Sequence, residues 1–473
     1  MSDRPMKLRF APSPTGFLHV GGGRTAIFNL LHARRHGGRM LLRIEDTDVE
    51  RSKQHHAEQI VSSLQWLGVE WDEGPVYQSD RLERYRERAE ELVARGKAYR
   101  CYCTVEELER ERVAAETAGV SYRYSGRCRR RADAGKEQPA GAPHVIRCKV
   151  APGPIEFHDL IRGDVQFEGE LIDDFVLIRS DGNPTYHLSV VVDDVDMDIT
   201  HVARGDDHLS NTPKHIVLFR AFDAPIPVFA HLPLILGSDR KRLSKRTGAT
   251  SAEEYRDMGI VPAALFNFLT LLGWNPGDER ELLSKEEAVA AFDLSDVNKA
   301  PAVFDQEKLF WMNGQYLMRM TADEIYPHLT RFLGPSPQTL EELRAVIDLN
   351  RSRARTLVEL AELMTPFLVE DDALVYDEDA RRKHLKGEEL ASRLADLHDA
   401  LAALESFDVN TTENTLRALA DQHGLSAGKL IHPLRLALTG RGSSPPVFDV
   451  AVVLGRDRSL RRLKKLIATL QRS

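Results

Sequence analysis

The sequence predicts an α/β protein in which a doubly wound parallel sheet is split by an α+β insertion and followed by an all-helical C-terminal half. Three observations predict it. Residues 1–96 alternate strand-like and helix-like patterns, the rhythm of βαβ units. That rhythm breaks over a charged, cysteine-bearing stretch, Lys97 to Gly141, and resumes near Thr200. From Pro262 onward the apolar residues recur at helical spacing, and residues 323–473 hold no run of short strands.

In order along the chain, Leu8–Phe10 reads as a strand and enters a turn punctuated by Pro12, Pro14 and Gly16. A helix is expected from Gly23 to Arg35, with Ile27, Leu30 and Leu31 on its apolar face, then a strand over Met40–Ile44. Helices over Gln54–Leu67 and Arg81–Arg95 complete this half. Antiparallel strands follow from His144, with Cys148 a small core residue and Ser180-Asp181-Gly182-Asn183 the turn of a hairpin. A strand at Thr200–Arg204 and a helix at Thr212–Ala221 restore the parallel pattern, and Leu232–Leu236 reads as a further strand. Ala264, Phe268, Leu271 and Leu272 begin the helical region, which continues through Leu340–Leu363, Glu388–Leu404 and Glu413–Gln422.

The 473 residues suffice for several domains, and no stretch has the ~20 apolar residues a membrane span needs. The first strand begins almost at once, without an apolar leader, which predicts a cytoplasmic protein. Four cysteines argue against a disulfide framework. The net charge of −8 does not advertise a nucleic-acid binder, but the basic run Arg456, Arg458, Arg461, Arg462, Lys464, Lys465 and Arg472 reads either as a local patch for one or as a solvated helix face.

Three segments carry chemistry. Arg9 to Gly23 places a strand, a turn and a glycine-rich helix start in series, a cradle in which free N–H groups and the helix dipole favour phosphate. His19 adds an imidazole donor at its mouth. Taken alone, Gly21-Gly22-Gly23 reads equally as a flexible helix entry. Asp239 to Gly248 bears five cations, suited to closing over a triphosphate, although most such runs are solvated charge. Cys101, Cys103 and Cys128 have the spacing of a tetrahedral zinc site lacking one ligand, with free thiols as the alternative.

His19-Val20-Gly21-Gly22 resembles the His-Ile-Gly-His signature of class I aminoacyl-tRNA synthetases, and Arg242-Leu243-Ser244-Lys245-Arg246 resembles their Lys-Met-Ser-Lys-Ser signature. Gly22 stands for the second histidine and Arg242 for the first lysine. Further stretches resemble bacterial glutamyl-tRNA synthetases: Arg43 to Asp48, Asn183 to His187, Arg204 to Pro213 and Phe304 to Tyr316. They are collinear over nearly the whole chain. The resemblance implies a Rossmann-like catalytic domain in two halves (1–96 and 191–240) around an acceptor-binding insertion (97–190). A stem-contact domain (241–322) and two anticodon-binding helical subdomains (323–378 and 379–473) would follow.

It also implies ATP and Mg2+ as cofactors and L-glutamate and glutamate tRNA as partners; no interface pattern stands out in the sequence, and a monomer is expected. His19, Gly21, Gly22, Ser244 and Lys245 would meet ATP, with His19 and Lys245 catalytic. Arg9, Ser13, Glu45, Tyr186 and Arg204 would hold glutamate, and Arg353 and Arg435 would contact the anticodon. For zinc, Arg130 stands where some relatives place a histidine ligand, so Tyr124 would join Cys101, Cys103 and Cys128, as in a short paralogue of the family. The absence of a β-barrel pattern at the C-terminus separates the chain from glutaminyl-tRNA synthetases. Two rivals remain at this level: a nucleotidylyltransferase with a small substrate, and an RNA-binding scaffold without catalysis.

Overall fold

The computed structural model describes residues 4–47, 54–120, 122–136, 141–243, 251–334 and 338–471. They divide into two compact units, residues 1–255 with 265–306 and residues 256–264 with 307–473. The first unit opens with β1 (Lys7–Phe10), α1 (Val20–Arg35), β2 (Arg39–Ile44), α2 (Gln54–Trp66), β3 (Glu73–Tyr77) and α3 (Leu82–Ala94). The three strands are parallel, with Leu8 opposite Met40 and Arg43 opposite Val76. β3 escapes the sequence pattern because Gly74 and Pro75 interrupt it. Gly74 has φ +96, and a Cβ there would lie 2.2 Å from the Leu42 carbonyl oxygen, so only glycine lets this strand bulge against β2.

The insertion supplies β4 (Ala98–Cys101), α4 (Val105–Thr117), α5 (Arg127–Asp133), β5 (Val145–Cys148), β6 (Pro154–Asp159), β7 (Gly163–Glu168) and β8 (Val176–Ile178). β4, β5 and β8 form a small antiparallel sheet, and Cys148 is buried in it as expected of a core residue. The turn at Ser180–Asn183 closes as expected, with Arg179 N–H donating to the Asn183 carbonyl. Its return arm is one bridging residue, Pro184, after which the chain turns into α6 (Tyr186–Asp196). The parallel core resumes with β9 (His201–Gly205), α7 (Thr212–Ala221) and β10 (Val228–Leu232). β9 lies beside β1, where the Lys7 N–H reaches Thr200 Oγ1 at 2.8 Å and the Thr200 N–H returns to the Lys7 carbonyl. β6 and β7 extend this core, because Asp159 pairs with Phe229 of β10. β11 (Ile235–Leu236), α8 (Ala252–Asp257), α9 (Pro262–Thr270), α10 (Lys285–Ala291) and β12 (Ala302–Val303) follow, and β11 pairs with β12.

The second unit is helical: α11 (Gln306–Arg319), α12 (Ala322–Leu329), α13 (Leu340–Asn350), α14 (Leu357–Leu368), α15 (Glu378–His384), α16 (Leu390–Ala402), α17 (Val409–Gln422), α18 (Gly428–Thr439), α19 (Val447–Leu454) and α20 (Arg456–Gln471). The single helix expected over Leu340–Leu363 is two. A 3-10 turn at Arg351–Arg353 and extended Ala354 interrupt it, and Thr356 restarts the helix by accepting the Glu359 N–H. Buried Asn313 ties this break to residues 259–261, accepting the Val261 N–H and donating to the Gly259 and Arg355 carbonyls. The C-terminal basic run is partly drawn inward, while Arg461 and Lys464 remain exposed. Arg458, Arg461 and Arg462 all bond Asp371, and Arg462 is wholly buried. Burial alone would raise the Asp371 carboxyl, but these three donors hold it at about 2. No helix among the described residues is long and apolar enough to cross a membrane.

Candidate active site

A cavity of about 380 Å³ opens at the C-terminal ends of β1, β9 and β10. This is where an open parallel sheet binds its ligands. Arg9, Ser13, His19, Gly21, Gly22, Glu45, Tyr186 and Arg204, scattered over some 200 residues of sequence, all line it.

His19 is the N-cap of α1. The helix begins at Val20, so the glycines form its first turn and are not a flexible entry. His19 Nδ1 accepts the Gly21 N–H at 3.1 Å, which commits that nitrogen as acceptor and leaves Nε2 to carry the proton. Desolvation by the cleft walls, helped by Arg242, lowers the imidazole pKa. Space explains Gly22: a Cβ would meet Leu18 at 3.2 Å.

Arg204, on β9, is the second feature. Its Nε and Nη1 lie 3.2 Å from His231 Nε2 and His215 Nδ1, and its Nη2 donates to the His208 carbonyl and to Thr212 Oγ1. None of these partners is anionic. The His231 acceptor is fixed because its Nδ1 is 2.6 Å from Asp159 Oδ2. Burial lowers the Arg204 pKa by more than nearby Tyr186, Asp194 and Glu45 raise it.

Arg9 is held differently. Its Nε pairs with Asp194 Oδ1 at 3.1 Å, and no described residue takes its two terminal nitrogens. Asp194 also receives Arg43 at 2.7 Å, and Arg43 reaches Glu45 at 3.2 Å. Burial raises the Glu45 pKa by more than Arg43 and Arg9 lower it. Tyr186, with its OH 3.1 Å from His208 Nδ1, is pushed by burial to about 12 and stays a neutral hydroxyl. Ser13 sits at the exposed rim.

Ser244 and Lys245 lie outside the described residues. Both flanks of their segment reach the cavity entrance. Arg242 and Leu243 line it, and Ser251 forms an antiparallel bridge with His19.

In the insertion, Cys101, Cys103 and Cys128 present their sulfurs within 4.8 Å of one another. The Tyr124 hydroxyl lies 3.2 Å from Cys101 Sγ and 3.6 Å from Cys103 Sγ, and Cys103 is 3.7 Å from Cys128. Arg130 turns away to the Ser125 carbonyl. In the helical unit, Arg353 and Arg435 bond neighbouring serines, Ser443 and Ser444. Neither has an acidic partner among the described residues. Arg351 and Arg355, by contrast, pair with Asp348 and with Glu307 and Glu359. The stacked rings of His384 and His432, 4.4 Å apart, adjoin Arg435.

Residues 5–311 match the family of class I tRNA synthetases (E and Q), catalytic domain, and residues 321–467 match an anticodon binding domain. The chain belongs to the class I tRNA synthetases. It is 46% identical to glutamate–tRNA ligase 2 of Koribacter versatilis, over 98% of each chain. It is 45% identical to the glutamate–tRNA ligase of Geobacter sulfurreducens, over 100% of each. A crystal structure of a glutamate tRNA ligase from Elizabethkingia meningosepticum, in complex with its amino acid, superposes with a TM-score of 0.88 at 34% identity. That superposition covers 99% of this chain and 100% of that one.

Sequence reasoning missed several residues that support the lining of this synthetase's cavity. Asp194 anchors Arg9 and Arg43, Asp159 orients His231, and His215 and Thr212 hold Arg204. One signal was available. Asp193-Asp194 interrupts the apolar run Leu188–Val195 of α6, and both are buried. A pair of acids at buried positions calls for buried cations.

Proposed function

We propose that this synthetase joins L-glutamate to ATP and passes the glutamyl group to the terminal adenosine of glutamate tRNA. The α-carboxylate of glutamate attacks the α-phosphorus in line, pyrophosphate leaves, and a glutamyl-adenylate remains. The 2′-hydroxyl of the tRNA then attacks the activated carbonyl, and AMP leaves. Neither step needs a protein nucleophile, only positioning and charge stabilisation. ATP enters as its Mg2+ complex.

The observation that carries this reading is Arg204, buried and, among the described residues, hydrogen-bonded to neutral groups, in the same cavity as the end of Arg9 that no described residue takes. Two guanidinium groups facing one space favour a carboxylate in two-point contact. A neutral amide in its place would leave the Arg204 charge uncompensated. Tyr186 and Ser13 would add hydroxyl contacts, and the Glu45 oxygen not engaged by Arg43 would meet the substrate ammonium. The Nε2–H of His19, with the first-turn amides of α1, would bind phosphate, and Gly21 and Gly22 let the nucleotide approach the backbone. Lys245, with Ser244 beside it, would follow the charge developing on pyrophosphate.

The glutamate–tRNA ligases to which the chain is similar support this choice of substrate. Arg353 and Arg435, without an acidic partner among the described residues, and the stacked histidine pair beside Arg435 suit unstacked anticodon bases. The functional division follows the boundaries given above, from the catalytic halves 1–96 and 191–240 to the anticodon subdomains 323–378 and 379–473. We place the protein in the cytoplasm as a monomer.

The cysteine cluster fits zinc. Tetrahedral geometry with Zn–S near 2.3 Å and Zn–O near 2.0 Å requires S···S of about 3.8 Å and O···S of about 3.5 Å. Cys103 and Cys128 Sγ are 3.7 Å apart, and the Tyr124 hydroxyl is 3.2 and 3.6 Å from Cys101 and Cys103 Sγ. Cys101, Cys103, Tyr124 and Cys128 would hold a structural ion that ties β4 to the start of α5.

Transfer of labelled glutamate to purified glutamate and glutamine tRNAs tests the reading. Efficient charging of the first and weak charging of the second is expected. No charging of either would end it.

A further inference from the structure

We propose that His32, His36 and Asp293 form a second metal site, for a divalent transition ion of the nickel, copper and zinc class, at the end of α1 remote from the reaction cavity. His19 caps one end of this helix and His36 the other. Sixteen residues at ~1.5 Å each put about 24 Å between them. This proposal therefore stands apart from the synthetase chemistry.

The helix geometry supplies the first two ligands. Residues four apart share one face, and the His32 and His36 rings have centroids 4.5 Å apart. Both face one carboxylate. His36 Nε2 is 3.0 Å from Asp293 Oδ2, and His32 Nδ1 is 3.9 Å from Oδ1. All three ligand atoms lie within 4.8 Å of one another. Around an ion with bonds near 2.1 Å, neighbouring ligand atoms stand about 3.0–3.4 Å apart, so the His36 nitrogen already stands at ligand spacing from Asp293 and His32 must move inward to close the site. Two hydrogen bonds give way to the ion, the one between His36 Nε2 and Asp293 Oδ2 and a long one from the Leu294 N–H to His32 Nδ1 at 3.4 Å.

The surroundings are prepared for a cation. The Ser295 N–H and hydroxyl orient the Asp293 carboxylate, and no described lysine or arginine pairs with it. Nearby Arg35 is turned to the Ala290 and Ala291 carbonyls. The carbonyl end of α1, the negative pole of its dipole, points the same way. A third imidazole, His201, stands 5.8 Å from the His32 ring. Two imidazole nitrogens and one carboxylate oxygen select borderline transition ions over Mg2+ or Ca2+, which take oxygen ligands. Bound there, an ion would fasten the end of α1 to the segment after α10.

Equilibrium dialysis of the full chain against Ni2+, with Cu2+ electron paramagnetic resonance alongside, tests the site. The wild type and a Cys103→Ser variant are expected to bind one ion with nitrogen hyperfine splitting from two imidazoles. His36→Ala and His36→Gln, the second keeping a polar contact with Asp293, are expected to lose that ion and its signal while circular dichroism is unchanged. Equal Ni2+ binding by the wild type and either His36 variant would overturn the proposal, as would a Cu2+ spectrum without nitrogen coupling.

Discussion

Arg204 spends its donors on two imidazole nitrogens, a carbonyl and a hydroxyl, and this choice of partners sets the pH behaviour of the site. Those imidazoles accept only while neutral. Burial, and then Arg204, lower the His215 pKa well below its usual value, while burial lowers His231 against the opposing pull of Asp159. Burial and nearby cations bring His187 to about 4. In the unfolded chain these groups titrate near 6.5, so between about pH 6.5 and 4 the unfolded state binds protons that the folded state refuses. Stability is thus complete above pH 6.5 and falls as the pH drops. Thermal melts at pH 7.5 and 5.0 check this, and a higher melting temperature at pH 5.0 would contradict it. Arg9, Glu45, Tyr186 and Arg204 were legible in the sequence because motifs and resemblance pointed to them. Asp159 was not, since it acts on a partner 72 residues away and leaves no local pattern, and Asp194 showed only as an acid breaking an apolar run, with its partner Arg9 185 residues away.

At the level of elements, periodicity located the strands and helices but not the polar contacts that begin and end them. The sequence suggested that α1 starts at Gly23. A histidine cap moves it to Val20, and so moves the glycines from a loop into a helical turn that faces the cavity. The apolar pattern of residues 340–363 runs through a break that Thr356 and the Gly259 carbonyl impose. α20 shows the same limit: a basic run reads as surface, yet Arg458, Arg461 and Arg462 close around one aspartate. Asp371→Ala should therefore destabilise the helical unit by about 3 kcal/mol, because it strands the buried Arg462 without a counter-ion. Urea denaturation measures this. An unchanged midpoint would show that the cluster is solvated.

For the whole molecule, the fold class was legible because βαβ rhythm, its interruption and the helical remainder are statements about period, which sequence records directly. The zinc reading depends on a convergence of four side chains from two segments, and metal analysis of protein purified without added zinc should return one equivalent, lost in Cys101→Ser. A zero stoichiometry in the wild type would leave free thiols. The central claim is that the guanidinium on β9 selects an acidic amino acid. Steady-state kinetics of Arg204→Ala, with tRNA saturating, test it most directly. The account predicts a glutamate KM raised about 10²–10³-fold, with the KM for ATP nearly unchanged. An unaltered glutamate KM would contradict it.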